Sequence, residues 1–185
     1  MAWKRAKRYD DGRIKPNVFS GLVVTLLALV AIGYSLTALM LGDPAWFLPP
    51  EVDVPPERII VYEAGTRHEI RPGDDMYEPL AQAIADALRT TIGFEETTGL
   101  SEISQQDAYE RFVSVEAWYP EPLDLHMRFR VVDPTRILLP ITGRHINKAF
   151  LGTESGYTAG ALVLNPTQVE RIRALLRTMG IQVDS

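Results

Sequence analysis

Between Val18 and Leu41 the chain runs for 24 residues without a charge, VFSGLVVTLLALVAIGYSLTALML, and no other feature limits its fold so strongly. An α-helix rises about 1.5 Å per residue and a bilayer core is about 30 Å thick, so ~20 apolar residues suffice to cross it. A core helix of a soluble protein carries a polar stripe, and the apolar part of a cleaved signal peptide runs to about 7–15 residues. Ser35 and Ala38 are small, but no A-x-A cleavage site accompanies them. The stretch therefore predicts an uncleaved single-pass anchor, with the lipid bilayer as the partner of residues 18–41.

The flanks give the expected orientation. Lys4, Arg5, Lys7, Arg8, Arg13 and Lys15 stand before the helix against Asp10 and Asp11, whereas Asp43, Glu51, Asp53 and Glu57 follow it. Lysine and arginine are retained on the cytoplasmic side, so the N-terminus is predicted inside the cell membrane and the C-terminal domain outside. Between them, DPAWFLPPEVDVPPE has the proline density of a stiff, extended stalk, and Trp46 and Phe47 fall where interfacial aromatics fix the depth of an anchor. The expected organisation is a basic tail at 1–16, a membrane helix at 17–42, a stalk at 43–57 and an extracytoplasmic domain at 58–185.

Charge and cysteine usage narrow the function classes. Six of the 19 basic residues and two of the 24 acidic ones belong to the tail, which leaves 13 against 22 and a formal charge of −9 beyond the helix. Such a domain repels polyphosphate backbones, so nucleic acid is excluded as a partner. The absence of cysteine excludes disulfides, thiolate chemistry, cysteine-bound metal and a lipidated cysteine.

Within the domain, RIIVYEAGTRHEI predicts a hairpin turning at Gly65, and apolar residues from Met76 to Ile92 recur at helical spacing after Asp74 and Asp75, which suit an N-terminal cap. Residues 93–103 read as a loop, and Ser104 to Phe112 as a short helix capped by Ser104. Three extended runs follow, VSVEAWY, LDLHMRFRVV and RILLPIT, and then a hairpin joining HINKAFL to YTAGALVL across GTESG. NPTQVERIRALLRTMG has the signals of a helix: Asn165 as cap, Pro166 at the first position, Gln168 for a capping box and Gly180 at the end. Without regular βαβ alternation the fold class is α+β, a small antiparallel sheet of about five to seven strands packed by two main helices.

Candidate sites are few. Strand alternation in LDLHMRFR places Asp124, His126 and Arg128 on one face, and TGRHINK adds Arg144 and His145, residue types that hold an anion or orient a histidine against a carboxylate. Alternation alone predicts the same polar face on any half-solvated sheet. Trp118 and Tyr119 beside Pro120 are candidates for partner binding, since exposed aromatics anchor interfaces. No H-E-x-x-H, P-loop or G-x-S-x-G spacing occurs, so no catalytic residue, metal or cofactor is predicted, and a hydrolase resting on Ser155 and His145 has only residue types in its favour. The sequence is best read as a membrane-tethered extracytoplasmic protein-interaction module, an accessory subunit or regulator of a membrane or cell-envelope complex. A small-ligand or envelope-polymer binder is the alternative.

Overall fold

A computed structural model describes residues 18–42, 44, 45, 48, 52–125 and 134–183. It divides into two units, Met1–Met40 and Leu41–Ser185.

In the first unit, α1 spans Val18–Leu41. None of its Phe19–Met40 stretch is buried, and that stretch is long and apolar enough to cross a membrane. The hydroxyls of Thr25 and Thr37 bond back to the carbonyls of Gly21 and Gly33 at 2.9 Å, so both are satisfied within the helix.

The second unit is an α+β fold built on one antiparallel sheet. Its strands are β1 (Arg58–Glu63), β2 (Thr66–Ile70), β3 (Gly93–Glu95), β4 (Val113–Trp118), β5 (Arg136–Pro140), β6 (Lys148–Thr153) and β7 (Gly156–Val163), ordered β2-β1-β4-β5-β6-β7-β3. Three helices accompany them: α2 (Tyr77–Arg89), α3 (Glu102–Glu110) and α4 (Pro166–Thr178). The hairpins β1–β2 and β6–β7 form where the turn residues placed them. In the first, Gly65 takes φ +88°, a left-handed value that needs glycine's freedom.

Period-2 alternation assigns the two faces. Ile59, Val61, Val115, Ile137, Leu139 and Leu151 form one face and are buried under Leu80, Ile84 and Leu88 of α2 and Val169, Ile172 and Leu176 of α4. The two helices lie side by side, tied at their surface by the Asp86–Arg171 pair at 2.6 Å. Asn165 caps α4 by accepting from the Thr167 amide at 3.0 Å, as expected. Gln168 completes no capping box; its amide oxygen is buried without a partner.

Several expectations are corrected. Asp74 does not cap α2: its carboxylate accepts from the Arg71 amide at 2.7 Å, closing the preceding turn, and the cap position is Met76. The cap of α3 is Ser101, whose hydroxyl accepts from Ser104 at 3.2 Å, so the helix begins earlier than Ser104 because an equally competent cap precedes it. Residues 93–95 are an edge strand rather than loop, pairing with β7 through Gly93–Val163 and Phe94–Leu162. The stalk's end belongs to the domain: Val52 is buried in the core, its carbonyl accepts from Arg89 at 2.8 Å, and the Pro56 carbonyl accepts from the Tyr77 hydroxyl. Trp46, Phe47, His126 and Arg128 lie outside the described residues.

Candidate functional site

The second face of the sheet carries α3 and is unlike the first. Tyr62 of β1, Ser114, Glu116 and Trp118 of β4, Arg136 and Leu138 of β5 and Phe150 of β6 share it by alternation and register. Ala108 of α3 packs with Leu138, Phe150 and Ala161 in a small apolar cluster, and Ser114 ties the helix down by donating to the Ala108 carbonyl at 2.8 Å.

Beside that cluster lies a buried carboxylate. Glu116 is 1 % exposed and sits in the middle of the sheet. One of its oxygens accepts from the Tyr62 hydroxyl at 3.0 Å and from the Trp118 indole N–H at 3.1 Å. The other accepts from the Tyr109 hydroxyl at 2.9 Å and from the Tyr157 hydroxyl, and Arg136 Nε stands 3.7 Å away. Burying a charge is tolerable only when it is paired and its lone pairs are filled, and here they are. The phenols respond in turn. Burial first, and then the Glu116 charge, push Tyr109 up to about 12 and raise Tyr62 and Tyr157 well above the usual tyrosine range.

A row of alternating cations and rings continues from this cluster. Arg58, Trp118 and Arg136 are direct cross-strand neighbours, and Gly152 opposite Arg136 has no side chain. The Tyr157 ring fills that space and lies 4.4 Å from the Arg136 guanidinium, while the Arg58 and Arg136 guanidinia lie 4.5 and 4.8 Å from the Trp118 ring centre. The arrangement fixes α3 and the β6–β7 hairpin to the sheet.

An open groove lies between α3 and the segment after β5. A cavity of ≈ 380 Å³ is lined by Leu100, Ile103, Ala108, Phe112 and Pro140 on its apolar side and by Asp107, Arg111, Thr142, Arg144 and His145 on its polar side. That volume lies within the ordinary range for a binding pocket, about 300–1,000 Å³. Gly143 takes φ +86° and lets Phe112 lie against the backbone there: a Cβ at Gly143 would stand 2.8 Å from the Phe112 ring. His145 packs edge-on against Phe150 with ring centres 5.3 Å apart. Burial, followed by the charges of Lys148 and Arg144, holds its imidazole below the usual histidine value, against a weaker opposing pull from Glu95. Lys148 is itself bound to Glu95 at 2.5 Å.

The expected site residues thus fall in different places. Arg144 and His145 come together on one wall of the groove. Asp124 forms an isolated bridge after β4 and is not among the groove's lining residues. Trp118 and Tyr119 both line a cavity of ≈ 480 Å³ with Arg58, Pro120 and Ser155, apart from the groove. Trp118 is half-buried between two guanidinia, and Tyr119 is 5 % exposed in the main core. Ser155 thus lies away from His145, so the two form no nucleophile–base pair. Among the described residues no three His, Asp or Glu side chains gather as a metal site. Unforeseen were Leu100, Ile103 and Phe112 of the groove, and Glu116 with its tyrosines. The one sequence signal for the latter was a carboxylate at the centre of the otherwise apolar VSVEAWY strand.

No family model matches the chain, and no curated protein does. Among solved structures it resembles YycH from Bacillus subtilis, with a TM-score of 0.50 and 13 % sequence identity over 69 % of this chain. The match takes in 38 % of the YycH chain, so the likeness is one of fold over less than half of that protein.

Proposed function

We propose that the chain is a single-pass, membrane-anchored protein-interaction module, with its basic N-terminal tail in the cytoplasm and its α+β domain outside, serving as an accessory subunit or regulator of a membrane or envelope complex. The observation that carries this reading is α1, 24 residues of uncharged helix with no buried side in its own unit, joined to a domain whose buried carboxylate, Glu116, is bound internally by Tyr62, Tyr109, Tyr157 and Trp118. The groove between α3 and the Ile141–Asn147 segment supplies the interaction surface. Satisfied tyrosines around Glu116 hold α3 in place as its wall, which is what a preorganised interface requires.

The test is extraction at native abundance in a mild detergent, followed by sizing and mass spectrometry. A stoichiometric protein partner supports the proposal. A monomer without partner counts against it and favours the small-ligand reading, for which the groove residues Arg144 and His145 are the remaining candidates.

A further inference from the structure

The domain is rich in acid, and its arginines are used accordingly. Eight described arginines, Arg58 through Arg173 in sequence order, each stand beside a carboxylate. Arg177 has an interaction of its own. Arg144 is the exception among the described residues: it is exposed, lies on the groove wall, and is paired with none of the described carboxylates. Its neighbours do not neutralise it: His145 carries no negative charge, and the nearby Glu95 is already bound to Lys148 and to the Thr98 hydroxyl at 2.5 Å. On the opposite wall Arg111 is paired with Asp107 at 3.2 Å, so that wall contributes little net charge.

Next to this unmatched cation the groove is apolar, and the apolar surface extends beyond the cavity. Ile103 is 74 % exposed at the rim, on a helix that buries only Ala108. A small carboxylate would fill the cavity and leave Ile103 in water. A polypeptide would cover both. An apolar anchor ringed by polar groups, with one charge to be matched, is the composition of an interface centre.

We infer that the groove receives a peptide segment of a partner protein that sets a carboxylate against Arg144 and an apolar side chain against Leu100, Ile103 and Phe112. This deepens the interaction-module reading and rests on it. Charge complementarity chooses the occupant: in a domain of net −9 beyond the helix, the one described guanidinium left without a described acid selects an acidic segment from outside.

The probe is a random-sequence peptide display library panned against the full chain in detergent micelles. Enriched sequences are expected to pair Asp, Glu or a free C-terminus with Leu, Ile or Phe. A selected peptide should lose at least about tenfold in affinity with Arg144→Glu and with Ile103→Ser, the scale on which truncating a contact at an interface centre is felt. Arg67→Glu, on the distant β2, should leave its affinity unchanged. Sequences lacking acid, absence of any enrichment, equal binding by Arg144→Glu, or enrichment of segments of this chain itself would each overturn the inference. So would full competition by a free dicarboxylate, which would make the site one for small acids. If a stoichiometric partner co-purifies and survives Arg144→Glu, the module reading stands and the groove assignment falls. If selected peptides behave as expected while no partner co-purifies, the groove stands and the module reading falls.

Discussion

Glu116 offers the sharpest test of how the domain holds α3. Glu116→Gln keeps the shape and removes the charge. With the amide oxygen toward Tyr109 and Tyr157, the new NH₂ faces the Trp118 indole N–H, which donates only, so a buried donor loses its acceptor at a cost of about 1–3 kcal/mol. The flipped amide keeps Trp118 and Tyr62 but takes the acceptor from Tyr157. In either pose Arg136, 11 % exposed at its side chain, loses the carboxylate that stands beside it, and removing one partner of a buried pair costs about 3–5 kcal/mol. The two effects overlap, and a net loss of about 4 kcal/mol is expected, which for a domain of this size lowers Tm by ~12 °C. The assay is thermal unfolding of the full chain in micelles followed by near-ultraviolet circular dichroism, which reports aromatic packing and is silent to α1 helicity. Glu57→Gln, a carboxylate half exposed and 3.8 Å from Arg58, is the control and should move Tm by less than ~2 °C. A Glu116→Gln variant within ~3 °C of the parent would refute the account of this cluster.

Two further predictions concern the same region. The tyrosines around Glu116 ionise with more difficulty folded than unfolded, Tyr109 near 12 against 10.0. The folded state therefore keeps protons that the unfolded state releases, and stability is full below pH ~10 and falls as pH rises through the folded values. Denaturation titrations at pH ~9 and ~11 should show the decline, with tyrosinate absorbance rising together with unfolding; unchanged stability would contradict it. Gly152→Ala would place a Cβ 2.9 Å from the Tyr157 ring and 3.0 Å from the Gly156 carbonyl, so a loss of about 1–3 kcal/mol in chemical denaturation is expected, and a neutral result would mean that Tyr157 is not seated over that glycine.

Where the sequence was legible, the reason was local. The charge-free α1, the turn residues of β1–β2 and β6–β7, and the Asn165-Pro166 start of α4 are each signalled within a few residues, and the α+β class follows from their order. Misplaced elements were those decided elsewhere. Strand β3 is three residues long and exists because β7 offers an edge, with Gly160 leaving room for the Phe94 ring. The start of α3 was a choice between two serines that local rules rank alike. The groove depends on Gly143 bringing Phe112 against the β5–β6 connection, and the Glu116 cluster on side chains from three strands and a helix. Arg144 and His145 were singled out by residue type, but that they share one groove wall, with Arg144 paired to none of the described carboxylates, is visible only in the folded chain. The surroundings of Trp118 and Tyr119 are set elsewhere in the chain: Arg58 and Arg136 flank the Trp118 ring, and Tyr119, just past β4, is buried in the main core.

The account stands or falls on which side of a membrane the domain lies. Sealed cells producing the full chain, with a tag at each end, are treated with protease from outside, and their membranes are then washed at alkaline pH. The account predicts that the C-terminal tag is lost while the N-terminal tag is protected, and that the anchor stays in the membrane pellet. A protected C-terminal domain, or release of the intact chain by the alkaline wash, would contradict it.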